Sequence, residues 1–412
     1  MKTKKQLYSY LKIGLTMFTL LVCSCKKEND KPTGSDMGGN GSGDTTGIPT
    51  EFFKDPTKQI TPTFTSIANS SSKIATPMDL DFNPFNVAEL WIINRGSTID
   101  KGTLEGSTVM ITNAGTATQK YTYTMDNAAQ HFMVAPSGIA FNPTKPNNTL
   151  KYYSVDGISN YFATSQNASN NSHAMEDGST VIDFMGPTLW PSDPTVYGTI
   201  QGPENSCHID MLHQTPFGKG IAAQAGSPGG IFWIFDGDNK NLCMYNFVTP
   251  HEPGGDVHKA GKVHRYTDVV LTGRTDGVPS HMVLDEGAKW LYIVDGGTKR
   301  ILRVDITTGT KKRDLTPSAE PIDEYWEMTG ITQEVFASTG LKEPCGIEIK
   351  GDKLFVSDYS TGEIIAYNTA TKAEVARVNS GKPGITGIKI GPDGKIYFVN
   401  ALTSEVSRVD PN

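Results

Sequence analysis

Six times along the chain a short apolar run ends in a polar turn, at 90–96, 152–157, 232–238, 291–297, 354–359 and 396–401. Ahead of each lies a run in which apolar residues alternate with polar or small ones, at 77–82, 136–141, 207–212, 279–284, 344–349 and 385–390. Period-two alternation is the signature of a half-buried strand. A third strand follows, clearest at 300–304, 363–367 and 405–409, and turn sequences such as Asn83-Pro84, Gly351-Asp352 and Pro392-Asp393-Gly394 link the runs. Self-similar β units at an uneven spacing of roughly 40 to 80 residues predict radial repetition, because each unit is too small to bury its own two faces. The predicted fold is all-β, a six-bladed β-propeller.

The last unit ends just after its third strand, which would leave an exposed sheet edge. The segment 61–67 alternates like a strand and precedes the first unit. It is predicted to pair onto the last blade and close the ring. Two stretches exceed the repeat. Residues 158–206 are rich in Asn, Ser and Pro, and residues 314–343 carry Glu320, Asp323, Glu324, Tyr325, Trp326 and Glu327, expected to fold around a short helix. Long loops of this kind serve binding or cover blade edges.

The units resemble NHL repeats, a family of six-bladed propellers, most closely at 279–306 and 344–368, where a Pro-small-(Gly or His) start precedes the apolar strand. In a four-stranded meander, the starts of inner strands and the ends of second strands share one face, here termed the top. That places Asn94, Arg95, Asp156, Asp236, Asp238, Asp295, Asp358 and Asn400 on the top, with Ser137, Cys207, His208, Ser280, His281, Cys345 and Thr386 nearer the channel. Arg95, Asp236, Asp295 and Asp358 are the candidate ligand-binding residues, Arg95 as an anion contact. For each aspartate the competing reading is capping of its own turn. His208 and His281 occupy a slot that holds Gly in the better-matched blades, so they form the candidate metal pair at the central funnel. Zinc or calcium is the divalent ion considered.

A second candidate metal site is the Gly-rich stretch 250–261, with His251, Glu252, Asp256 and His258, and with His264 beyond. Gly254-Gly255 permits a fold tight enough for carboxylate and imidazole to converge. The topology puts this stretch between third and fourth strands of blade three, at the bottom. The peptidyl-hydroxyglycine amidating lyases, propellers similar to NHL proteins, hold zinc through histidines that follow Pro at the inner strands. Those slots here hold Ser137, Ser280 and Cys345, with Cys207 after Ser206, so the resemblance does not carry that activity across.

The chain opens with basic Met1-Lys2-Thr3-Lys4-Lys5 and an apolar stretch too short to span a bilayer comfortably, the pattern of a secretory leader. Leu21-Val22-Cys23-Ser24-Cys25 resembles the bacterial lipobox, which implies cleavage after residue 24 and lipidation of Cys25. Residues 25–50 hold almost no apolar side chain and read as a flexible tether, in which Lys26-Lys27-Glu28-Asn29-Asp30 resembles the charged signals of Bacteroidetes surface lipoproteins. Residues 51–412 form the propeller domain.

Net charge is −7 with no basic stripe, which argues against nucleic acid. Cys207, Cys243 and Cys345, three in number beyond the leader, make no disulfide framework. The expected protein is an outer-membrane lipoprotein, periplasmic or surface-exposed, binding a glycan, peptide or envelope protein through the top face. The alternative is a metal-dependent lyase or hydrolase acting at the central funnel.

Overall fold

The computed structural model describes residues 62–96, 99–100, 103–145, 160–174, 180–318 and 320–410. The leader, Cys25, the tether and the 152–157 run with Asp156 lie outside them. All described residues belong to the compact unit Thr46–Asn412.

Six sheets make the blades of a propeller. Blade one is Pro77–Phe82, Glu89–Asn94, Ser107–Thr112 and Lys120–Thr124, and blade two is Pro136–Phe141, Tyr161–Gln166, Thr188–Pro191 and Asp210–Met211. Blade three is Gly218–Gln224, Ile231–Asp236, Asn241–Asn246 and Lys262–Tyr266, and blade four is Met282–Asp285, Trp290–Asp295, Arg300–Asp305 and Gln333–Ala337. Blade five is Pro344–Lys350, Lys353–Asp358, Glu363–Asn368 and Glu374–Asn379. Blade six combines Ile385–Ile390, Ile396–Asn400 and Glu405–Asp410 with the N-terminal strand Thr63–Ala68. That strand pairs antiparallel with Glu405–Asp410, Thr63 opposite Asp410, so the predicted closure holds.

Side chains alternate between the two faces of each blade, and each face buries its apolar set against the next blade. Six apolar clusters result among the described residues, one at each blade junction. Blade three shows the division: Phe232 and Ile234 face blade two, while Trp233 and Phe235 face blade four. Between blades one and two, Trp91 packs with Phe141, Phe162 and Tyr197 at ring separations of 5.2 to 5.9 Å.

Three expectations are corrected. The run 207–212 is not the innermost strand of blade three; its middle, Asp210–Met211, is the outermost strand of blade two. The innermost strand of blade three is Gly218–Gln224, whose alternation is masked by Gly218, Lys219 and Gly220. A β-carbon on Gly220 would lie 2.2 Å from the Ser280 carbonyl oxygen, so the strands crowding the axis exclude a side chain there. In blade two the second strand is Tyr161–Gln166 rather than the 152–157 run. Among the described residues the 314–343 insertion carries no helix: Thr310–Asp314 and Glu324–Thr329 form a hairpin that joins the outer edge of blade three through a parallel pairing with Lys262–Tyr266.

Ring closure sets a first prediction. Ile67 is 7% exposed and packs between blades six and one. Ile67→Ala should lower the unfolding free energy by about 2–4 kcal/mol. Deletion of 62–69 should give a chain that self-associates through the bare edge of Glu405–Asp410. Denaturant unfolding and size-exclusion chromatography check both, and an unchanged midpoint with a monomeric deletion variant contradicts the closure argument.

Candidate functional site

The last residue of each second strand repeats around the ring: Asn94, Gln166, Asp236, Asp295, Asp358 and Asn400. None of the three predicted aspartates reaches solvent. Asp236 accepts from the backbone N–H groups of Asp238 (3.0 Å) and Asn239 (2.9 Å) and binds Arg265 Nη1 at 2.6 Å. Asp295 accepts from Thr272 N–H (2.7 Å) and Arg300 Nε (2.9 Å). Asp358 accepts from the N–H groups of Lys342 (2.7 Å), Glu343 (2.9 Å), Ser360 (3.2 Å) and Thr361 (3.2 Å). The turns consume these carboxylates, which corrects their expected place among ligand-binding residues.

At the axis, the third residue of each innermost segment is Asp79, Gly138, Gly220, His281, Gly346 or Gly387. His281 Nδ1 lies 3.4 Å from Asp79 Oδ2, and its Nε2–H donates to the Met78 carbonyl at 3.1 Å. Asp79 also accepts from Ile139 N–H at 3.1 Å. Both side chains are buried, and the pair from opposite blades meets at the axis. His208, by contrast, lies just before the outermost strand of blade two. The expected pairing of His208 with His281 at one funnel is thus corrected: among the described residues the two share no partner.

Further along the axis, Lys389 Nζ lies 3.7 Å from Asp81 Oδ1 and 3.2 Å from Glu348 Oε2. Burial pushes the Asp81 carboxyl up to about 6, against the opposing pull of Lys389 and the hydrogen bond from Phe141 N–H (2.9 Å).

Arg95 stays at the top. Its guanidinium crosses from blade one to the loop before blade four, Nη1 donating to the Gly277 carbonyl at 3.4 Å. Its Nε is buried without a hydrogen-bond partner. Gly277, at φ 81°, permits the approach, because a β-carbon there would meet Nη1 at 2.2 Å. A cavity of about 600 Å³ opens beside it, lined also by Asn167, Lys219, Asp238, Lys240 and Arg274. Lys219 Nζ donates to Asn167 Oδ1 at 2.7 Å. Burial lowers the Arg95 guanidinium, opposed by Asp276, and burial followed by repulsion from Arg95 lowers Lys219. Arg274 is neutralised by Asp276 and by Glu343 at 2.9 Å. The cavity therefore presents surplus positive charge in Arg95, Lys219 and Lys240, with Asp238 the remaining acid. Sequence reading found Arg95 but missed Lys219, whose signal was an alternating Gly-Lys-Gly too short of apolar residues to read as a strand.

Five of the eight histidines gather on the outer edge of blade two. His208 stacks on Phe132 at 3.6 Å, with His251 5.1 Å from His208, His258 5.5 Å from His251 and His213 5.9 Å from His258 between ring centres. His131 flanks Phe132 at 4.1 Å. His258 Nδ1 meets Asp210 Oδ1 at 2.8 Å and its Nε2 meets Asp256 Oδ1 at 3.0 Å. His213 Nδ1 meets Glu320 Oε2 at 2.9 Å. Burial disfavours charge on His258, but the bonds to Asp210 and Asp256 outweigh it and raise the imidazole to about 10. Burial and the neighbouring imidazoles push His208 well down. Of the predicted second site, His251 and His258 lie together with Asp210, hidden in the misplaced strand, while Asp256 binds the far nitrogen of His258.

No protein-family model matches the chain, and no curated protein does. Solved propellers are similar in fold. An auxiliary nutrient binding protein from Bacteroides ovatus is 12% identical, with 86% of this chain and 78% of that one covered at a TM-score of 0.50. A protein of the same description from Bacteroides thetaiotaomicron is 10% identical, covering 85% and 76%, at 0.49. Virginiamycin B lyase from Staphylococcus aureus is 11% identical, covering 85% and 100%, at 0.43. At these identities the likeness speaks for the propeller and for nothing chemical.

Asp81 sets a pH dependence. Its carboxyl titrates near 3.8 when unfolded and at about 6 when folded. Between those values the folded chain holds a proton that the unfolded chain has released, so its contribution to stability is greatest below pH 4 and is withdrawn as pH rises through 6, by up to about 1.4 kcal/mol per unit. Asp81→Asn should therefore gain in melting temperature, relative to the parent, between pH 4 and pH 7. A difference that stays constant across that range contradicts the assignment.

Proposed function

We propose that this chain is a lipid-anchored binding protein of the bacterial cell envelope whose top cavity takes an anionic ligand, such as the carboxylate of an acidic glycan or peptide. The observation that carries the reading is the Arg95 guanidinium, half-buried over the cavity with Nε unpartnered and Lys219 close by. A buried guanidinium N–H without an acceptor is costly, and a carboxylate would supply one to Nε while bonding a second N–H of the fork. Lys219 adds a second positive charge on the same wall. The nutrient binding role named for the similar Bacteroides ovatus propeller, a protein of equal architecture, agrees with a binding face rather than a reaction centre. The lyase or hydrolase alternative needed His208 and His281 at one opening, and among the described residues the two share no partner.

The anchor rests on the leader and on Cys25. Lipidation there, followed by the tether, would hold the propeller at the outer membrane, on its periplasmic or its outer side. Acyl chains contribute about 0.8 kcal/mol per buried methylene, so several of them hold firmly.

Two tests follow. Oligogalacturonate and the matched neutral galacto-oligosaccharide serve as probes in calorimetry at low salt. The acidic probe should bind and the neutral one should not. Arg95→Gln should weaken binding about 10- to 100-fold, the worth of a hydrogen bond to a charged group, with an unchanged melting temperature. Equal affinity for both probes, or an indifferent Arg95→Gln, rejects the anion reading. For the anchor, the mature protein should begin at an acylated Cys25 by mass spectrometry, and Cys25→Ala should move it from the membrane to the soluble fraction. An unmodified Cys25 in membrane-bound protein rejects it.

A further inference from the structure

We propose that Asp210, His251 and His258 form a divalent metal site, zinc by its donor set, that staples the 250–261 loop of blade three to the outermost strand of blade two. Each residue offers one donor atom, and these atoms lie within 4.8 Å of one another. The ring nitrogens are divided as a metal site requires. His251 Nδ1 donates to the Glu252 carbonyl at 2.6 Å, which leaves the lone pair on Nε2. His258 Nε2 is bound to Asp256 at 3.0 Å, which turns Nδ1 toward Asp210. Imidazoles tied by the far nitrogen to a carbonyl or a carboxylate are the usual supports of a metal centre, and Asp256 is here the positioning residue for His258. Two imidazoles and a carboxylate suit zinc better than calcium, which prefers six or more oxygens.

A second observation is independent of these three residues. His208 is 1% exposed, and its Nδ1 has no hydrogen-bond partner. A buried polar atom left in this way is costly, and the His208 ring lies 5.1 Å from that of His251 between centres, on the border of the proposed site. The adjoining cavity is about 20 Å³, room for one water and for no substrate. That size makes the site structural.

The backbone around the site is built for close convergence. Gly254 N–H donates to the His208 carbonyl at 2.8 Å, which docks the 250–261 loop on blade two. A β-carbon on Gly254, at φ 68°, would lie 2.0 Å from the Gln201 carbonyl oxygen, and one on Gly202 would lie 2.3 Å from the Gly254 oxygen. Glu320, from the blade-four insertion, binds His213 at the same cluster. Segments from three different blades, each longer than the repeat needs, thus end at one group of imidazoles. Without a cation, His258 would stand as an imidazolium between Asp210 and Asp256, and the experiment separates that proton from a metal.

Untagged mature protein is dialysed against a chelator and titrated with zinc chloride, with metal content read by plasma mass spectrometry and stability by thermal unfolding. One zinc per chain and a melting temperature that falls on chelation and returns on zinc addition are expected. His251→Gln should lose stoichiometric zinc, and Asp256→Asn should weaken zinc about 10- to 100-fold, both still binding the top-face probe if that reading holds and both with propeller-like circular dichroism in either case. Cobalt loaded into the parent protein should give the absorption of a four-coordinate ion, a readout that survives any failure of a variant to fold. No bound zinc in the parent, a melting temperature indifferent to chelator and zinc, or full zinc binding by His251→Gln overturns the proposal.

Discussion

Space at the propeller axis is the constraint on which the rest depends. Six strands converge there, and their third positions have room for two side chains, Asp79 and His281, because four glycines yield the remainder. A β-carbon on Gly387 would lie 2.5 Å from an Asp79 oxygen, and one on Gly346 would lie 2.5 Å from the Thr386 carbonyl. At that level Asp79 and His281 narrow the axis, and a cavity of about 210 Å³ lies further along it beside Asp81 and Lys389. Arg95 and Lys219 stand at the mouth above it, and the imidazole cluster stands at the rim.

The same crowding explains how far sequence reading reached. The ring, its six units and the closing strand were visible, because period-two alternation and repeated turns survive in the residues themselves. Which strand is innermost was not visible in blade three. The run 207–212 alternates well because an outer strand has one face on the core, whereas 218–224 spends its small residues on clearance at the axis. The slot at the end of each second strand was also visible, but its chemistry was ambiguous. For Asp236, Asp295 and Asp358 capping was the favoured reading of each residue beside the ligand role, and burial and their N–H donors decide for caps.

Convergence of insertions was the least readable part. The 250–261 stretch showed its own histidines and its glycine pair, and these do come together. Asp210 and His208 join them from blade two, and Glu320 reaches the same cluster from a hairpin expected to be helical. Those meetings are set by tertiary pairing across 48 residues for Asp210 and His258 and 107 for His213 and Glu320, and no local pattern encodes them. Cys207, Cys243 and Cys345 are each buried as free thiols, so covalent cross-links play no part in holding these segments.

The register of the closing strand also orients the molecule. Thr63 sits opposite Asp410, while Asn400 and Glu405 mark the other end of the same blade, the end shared with the Arg95 cavity. A chain running back from Thr63 therefore departs from the floor of the propeller. The first residue of the closing strand and the cavity thus lie on opposite faces of the ring, and closure is completed without drawing on the space at the cationic mouth.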